Sequence, residues 1–436
     1  MSRAGFVCLQ SLRGNAQNGR RGASALLVLA CIVVIGVGGL IMQTPALAED
    51  AARSPNSSTA GANAPNHHTF AEVVREHFAK WDLNHDGKLE AAEIDELIRR
   101  PRIHGDEAAA LATIKKRDRH AIADKITNYA ASEQELEKGV EEAPVRELDA
   151  ARGEAKPFHF EPTYEKLRKE LTEVNRQLYA HDQPDFALLH QGGIGDCFFF
   201  SVVGNLAAHQ PHRIQRMITP EERGGYVVRF GDGVEVQVAK PSDVEIVVNN
   251  STFSIEDGIW LTVLEKAVGH RMHDTAPPAK RTKEDTDTIA MGGSTRAIIS
   301  MFTGHQTDVV KLRDPKAEAE RLSELRRELP AALHARRLVA ISMGKDPPPG
   351  DNGKKVPGLG YGHAYAVFGF DPATDTVKVW NPWGNDFKPK GPPGAEHGFE
   401  TKHGVFEVNL ETLYRQFSAV DIETARKLEP PQHPKR

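Results

Sequence analysis

Cys197 is the residue of this chain whose surroundings most resemble a nucleophile's. It sits in Gln191-Gly-Gly-Ile-Gly-Asp-Cys197-Phe-Phe-Phe, and downstream come Gly362-His363-Ala-Tyr-Ala-Val and Asn381-Pro-Trp-Gly. A thiol, an imidazole able to take its proton and an amide able to orient that imidazole are the parts of nucleophilic acyl chemistry. Cys197 opens an apolar segment, Phe198 to Leu206, that reads as a helix. A thiolate at a helix N-terminus is favoured by the unpaired N–H groups there, so a lowered thiol pKa is expected. The amide of Gln191 and the backbone N–H of Cys197 would donate to a developing oxyanion. Trp383 would shield the His363–Asn381 hydrogen bond from water.

A second constellation lies nearer the N-terminus, in Asp82-Leu-Asn84-His-Asp86-Gly87-Lys88-Leu-Glu90-Ala-Ala-Glu93. Asp82, Asn84, Asp86, Gly87 and Glu93 match positions 1, 3, 5, 6 and 12 of an EF-hand loop. There short oxygen-bearing side chains converge, a glycine makes the sharp turn and a glutamate closes the shell. The carbonyl of Lys88 would supply the seventh position, and Ca2+ is the cofactor this pattern implies. Helical spacing of Phe70, Val73, Val74, Phe78 and Trp81 before the loop, and of Ile94 and Leu97 after it, supplies the flanking helices. No second intact loop follows; residues 106–138 read as helical and hold at most a degenerate partner.

The three thiol-site motifs together resemble the calpain family of cysteine endopeptidases. The family's Gln-Gly-x-x-Gly-Asp-Cys appears as Gln191 to Cys197, its Gly-His-Ala-Tyr-x-Val as Gly362 to Val367, and its Asn-Pro-Trp-Gly as Asn381 to Gly384. Lesser likenesses are Leu264-Glu-Lys-Ala, Gly292-Gly293 and Phe302-Thr-Gly304, so the resemblance spans roughly residues 165–425. It implies an α+β, two-lobed papain-like core with Cys197 on a helical lobe and His363 and Asn381 on a β-rich lobe. Protein or peptide substrates are implied with it, and calcium dependence often accompanies the family. Two features depart from the pattern: Phe198 replaces the usual tryptophan after the cysteine, and the calcium loop precedes the core.

These elements order the chain into segments. Residues 1–48 form a leader, with Arg13, Arg20 and Arg21 ahead of an uncharged run at 22–42 and a small-x-small site at Ala46-Leu-Ala48. This reads as a secretory signal cleaved after Ala48, or as a membrane anchor at 22–42; either exports the remainder to a periplasm or cell envelope. Cys8 and Cys31 lie in the leader, so the exported part has one thiol and no internal disulfide. Residues 49–69 read as a disordered tether, 70–138 as the EF-hand module and 139–163 as a proline-marked linker. The helical lobe is expected over 164–305, the β-rich lobe over 306–425 and a polar tail over 426–436. Tyr226-Val-Val-Arg-Phe, Val234-Glu-Val-Gln-Val and Val244-Glu-Ile-Val-Val read as strands.

At 436 residues and 39% hydrophobic content the chain can build a substantial core. A net charge of −5 without a basic block argues against nucleic acid as a partner. Two other functions share the same parts. One is a thiol acyl transferase of the transglutaminase type, against which Asn381 in place of an aspartate argues. The other is a calcium-binding scaffold with a silent protease fold.

Overall fold

The first helix forms where its sequence says it should. In α1 (Phe70–Trp81), Thr69 and Glu72 make a reciprocal capping box, and Phe70, Val73, Val74, Phe78 and Trp81 form the buried face. The computed structural model describes residues 67–429 apart from 124–128, 142–156, 193, 223, 278–280, 282–284 and 349–352. The leader expected at 1–48 and most of the tether lie outside the described residues. Among the described residues no helix is long and apolar enough to cross a membrane.

After α1 come β1 (Lys88–Glu90), α2 (Ala91–Leu97), α3 (Gly105–Ala123), β2 (Ala130–Ser132) and α4 (Glu133–Glu137). The helical reading of 106–138 is therefore corrected at its end. β2 runs antiparallel to β1 with Ala131 opposite Leu89, and Ser132 then starts a fresh helix through a capping box with Glu135. The stretch expected as a linker also holds paired structure. β3 (Val140–Glu141) pairs with β4 (Phe158–His159), and α5 (Phe160–Glu173) starts at once. Pro162 falls in the first turn of α5, where backbone N–H groups have no intrahelical acceptor, so it interrupts nothing. Phe160 stacks on Phe70 at 5.1 Å, tying α5 to α1.

The nucleophile segment becomes α6 (Cys197–His209), followed by α7 (Pro211–Met217) and a three-stranded antiparallel sheet of β5 (Ile218–Pro220), β6 (Tyr226–Arg229) and β7 (Glu235–Val238). The third strand expected here, at Val244–Val248, is instead the start of α8 (Asp243–Glu256). Ser242 accepts from the N–H of Glu245 at 3.1 Å while the Glu245 carboxylate accepts from the N–H of Ser242 at 2.8 Å, a capping box that launches a helix. Val244, Ile246, Val247 and Val248 are all buried, so they read as a run without the alternation of a half-exposed strand. α9 (Trp260–Thr275), α10 (Asp285–Ala290) and α11 (Thr295–Thr303) complete the helical part.

The second part contains β8 (His305–Lys311), α12 (Glu318–His334), β9 (Val339–Met343), β10 (His363–Asp371), β11 (Thr376–Trp380), β12 (Val405–Asn409), α13 (Leu410–Gln416) and β13 (Ala419–Lys427). Its strands form one antiparallel sheet in the order β12-β11-β10-β9-β13-β8. The polar tail expected from residue 426 begins inside β13, which is inserted between β9 and β8. One face of the sheet packs under α12 and α13 through Tyr365, Val367, Val377 and Val379; the other, through Ala364 and Ala366, meets the helical core. α6 lies on that second face. Asn205 donates to the carbonyls of Val339 and Val367 at 3.2 and 3.1 Å. Gly204 lies against Trp380 so closely that a Cβ would enter the indole.

Candidate active site

Cys197 is the first residue of α6, and the carbonyl of Asp196 receives the N–H groups of Phe199 and Phe200 at 2.9 and 3.0 Å. The thiol is half-buried, and the backbone N–H of Ala364, the residue after His363, acts to lower its pKa. Structure and sequence part company over its acidity. Burial pushes the Cys197 thiol above its usual range; the N–H groups of Ala364, Phe198 and Cys197 pull it down without overcoming that cost. The helix-start effect expected from the sequence is present but outweighed. Asp196 is fully buried, and burial together with the neighbouring Glu265 raises its carboxyl well above the ordinary range.

His363 opens β10, and its register is fixed by antiparallel pairing with Met343 on β9. Its Nε2 lies 2.8 Å from Oδ1 of Asn381. That oxygen also accepts the backbone N–H of Trp383 at 3.1 Å, while Nδ2 of Asn381 donates to Asn385 at 2.9 Å. These two contacts settle which end of the amide faces the imidazole: an acceptor does, so Nε2 carries the proton and Nδ1 is left with its lone pair. Burial lowers the His363 pKa to about 4 against the opposing effect of Asn381. Trp383 lies over the imidazole with ring centres 4.4 Å apart and is itself 45% exposed, a lid between the ring and solvent.

Backbone contacts join the motifs. The N–H of Gln191 donates to the carbonyl of Pro382 at 2.7 Å, linking the turn before the thiol to the turn after Asn381. The Gln191 side chain differs from its expected attitude: Nε2 donates to the carbonyl of Ile194 at 2.6 Å, which leaves one amide N–H for any other acceptor. Asn385, Asp196 and Ala364 escaped the sequence reading as site residues. Only the position of Asp196, next to the thiol, offered a signal for any of them. A cavity of about 1040 Å³ is lined by Trp383 together with His190, Lys378, Lys402 and Glu407 among others.

A thiol at a helix start, set against an imidazole–amide pair on a sheet, is the arrangement of a cysteine peptidase. The family description "calpain family cysteine protease" matches residues 160–394, more than half the chain, and the chain belongs to that family. No curated protein matches the chain closely enough to add to this. The matched stretch contains Cys197, His363 and Asn381, and excludes the helices before α5.

In the 82–93 loop, Asp82 and Glu93 are buried and the other oxygen donors are exposed. Asp82 accepts the N–H groups of Asp86 and Gly87 at 3.1 and 2.8 Å, and Glu93 those of Leu83 and Asn84 at 2.7 and 3.1 Å. Gly87 has φ +84°, a left-handed conformation that suits glycine. The β1–β2 register exposes a relation the sequence reading left open. Glu135 follows Ala131 by as many residues as Glu93 follows Leu89, and both glutamates close capping boxes. Counting back in sequence, Ile126 and Tyr129 then replace the oxygen donor and the glycine of an intact loop.

Proposed function

We propose that this chain is a cysteine endopeptidase in which Cys197 forms the acyl-enzyme, His363 transfers protons and Asn381 orients the imidazole. The observation that carries this reading is the doubly fixed amide of Asn381, which leaves Nδ1 of His363 as the free base at the start of β10, the strand against which the Cys197 helix packs. Thiol and imidazole are both neutral at rest, since burial raises one pKa and lowers the other. Proton transfer to Nδ1 therefore accompanies attack of sulfur on the peptide carbonyl. The oxyanion is received by the Cys197 N–H and the remaining N–H of Gln191. Nδ1–H protonates the departing amine as the C–N bond breaks. Water, deprotonated by the same nitrogen, then hydrolyses the thioester and returns the thiol.

The reading extends to Ca2+ in the 82–93 loop. An all-oxygen donor set suits a hard cation: side-chain oxygens of Asp82, Asn84, Asp86 and Glu93 with the carbonyl of Lys88. Bound calcium would supply a positive charge that orders the loop between α1 and α2. It extends also to an exported or membrane-anchored location through residues 1–48. Casein hydrolysis by the purified protein, with and without chelator, is the test. Hydrolysis surviving in Cys197→Ala would sink the mechanism, and isopeptide products without cleavage would favour acyl transfer.

A further inference from the structure

Away from the thiol, the most heavily built polar feature joins the N-terminal helices to α10. Lys115 of α3 is fully buried, and its Nζ lies 2.5 Å from Asp95 of α2, 3.0 Å from Asp118 and 2.6 Å from Asp287 of α10. One turn on, Arg119 gives Nε to the other oxygen of Asp287 at 2.8 Å and a terminal N–H to Asn249 of α8 at 2.8 Å. The three carboxylates lie close enough together to hold a metal ion, but the cation among them is the Lys115 ammonium. Burial alone would discharge Lys115; the carboxylates of Asp287, Asp118 and Asp95 outweigh it and keep the amine charged. Burial likewise raises Asp287, and Arg119 and Lys115 more than reverse that. Such a buried cluster adds little net stability over an apolar replacement, but it permits few alternative dockings.

The end of α10 and the turn after it touch both sides of the nucleophile. The carbonyl of Ala290, its last residue, accepts the N–H of Gly195 at 3.0 Å, and a Cβ on Gly195 would stand 2.5 Å from that oxygen. Three residues on, Gly293 lies against the Phe198 ring with no room for a Cβ. Gly195 and Phe198 flank Asp196 and Cys197. The 290–293 turn thus brackets the thiol, and Asp287 lies one helical turn before it.

We propose that Asp287 is a positioning residue for the Cys197 thiol, anchored by Lys115 and Arg119. The N-terminal helices, which lie outside the matched family segment, would then set the geometry of the nucleophile turn. The proposal rests on Cys197 being the nucleophile, and it names a part of the site that no family motif contains.

The experiment compares the full chain with Asp287→Asn, Arg119→Gln and Lys115→Arg, reading peptide hydrolysis and the rate of Cys197 alkylation by iodoacetamide across pH. In Asp287→Asn, kcat and the alkaline-limit alkylation rate should both fall about tenfold with KM nearly unchanged, the signature of a misplaced group. Arg119→Gln should lower both by about threefold, and Lys115→Arg, which crowds a bulkier guanidinium into a fully buried site, should lower both and the melting temperature as well. A merely structural role would lower the melting temperature and the fraction of active thiol, leaving the rate per folded molecule unchanged. Wild-type alkylation rates in folded Asp287→Asn would overturn the proposal. Should that variant fail to fold, wild-type rates in Arg119→Gln would do the same. If wild-type protein cleaves no peptide while its alkylation rate still responds to Asp287→Asn, the peptidase reading fails and the positioning role stands.

Discussion

The thiol site and the 82–93 loop solve the same problem, that of holding polar groups in a fixed arrangement, in opposite ways. The thiol site draws Cys197, His363 and Asn381 from a helix, a strand and a turn, and holds them by contacts across the fold: Asn381 to Trp383 and Asn385, Gln191 to Pro382, α6 to the sheet through Asn205. The loop holds its carboxylates by hydrogen bonds to N–H groups of its own twelve residues. A site assembled from distant parts should be sensitive to changes anywhere in its supporting packing. One assembled locally should be sensitive only to its own donors.

The largest effect should come from the thiol itself. Cys197→Ala is expected to remove hydrolysis, and His363→Ala to lower kcat by about 10²–10⁴-fold, the usual contribution of a general base, in a steady-state peptide assay. If His363→Ala retained full activity, the long-range assembly described for this site would be irrelevant to its chemistry. Asn381→Ala removes one hydrogen bond to an imidazole that becomes charged during turnover, about 1.5–3 kcal/mol, so kcat should drop about 10–100-fold. The loss should be smaller in Asn381→Asp, which can still accept from Nε2.

Packing beneath the site comes next. Gly204→Ala pushes a methyl into Trp380 and should cost about 1–3 kcal/mol, read as a lower urea midpoint with an unchanged slope. Glu93→Gln should weaken calcium binding by roughly tenfold or more in calorimetry, and lower the calcium-free stability only by the one capping hydrogen bond that its NH2 cannot accept from the N–H of Glu90, about 1 kcal/mol. A large calcium-free destabilisation would show that the loop is not locally held, and the contrast between the two sites would fail. The smallest and most diagnostic effect concerns pH. Because burial raises the Cys197 thiol, alkylation of the resting protein should keep rising by about tenfold per pH unit beyond neutrality, with no acid plateau. A plateau below pH 6 would mean that a thiolate–imidazolium pair forms at rest.

The same contrast explains what the sequence made legible. Cys197, His363 and Asn381 stood out because acyl chemistry restricts residue type so tightly, and α1 because its caps and apolar spacing are local. The strand forecast at Val244 failed because a run of buried β-branched residues fits a helix in a core as well as a strand, and Ser242 with Glu245 decided between them. β13 is not legible as a strand because Asp421, Glu423 and Thr424 break its apolar pattern; its partners β8 and β9 lie about a hundred residues earlier. The thiol's acidity was misjudged for a related reason. The helix start is visible in sequence, whereas the burial that overrides it comes from the whole fold.

The placement of β13 has a further consequence for how the molecule comes into being. The strand bearing the imidazole pairs with β9, and β9 has an open hydrogen-bonding edge until residues 419–422 reach it. A ribosome-bound chain that already displays all three reactive side chains therefore still lacks the middle of its sheet. Contacts so far apart along the chain form late. Closure of the sheet around the imidazole-bearing strand is thereby postponed until residues 419–422 have been made and docked.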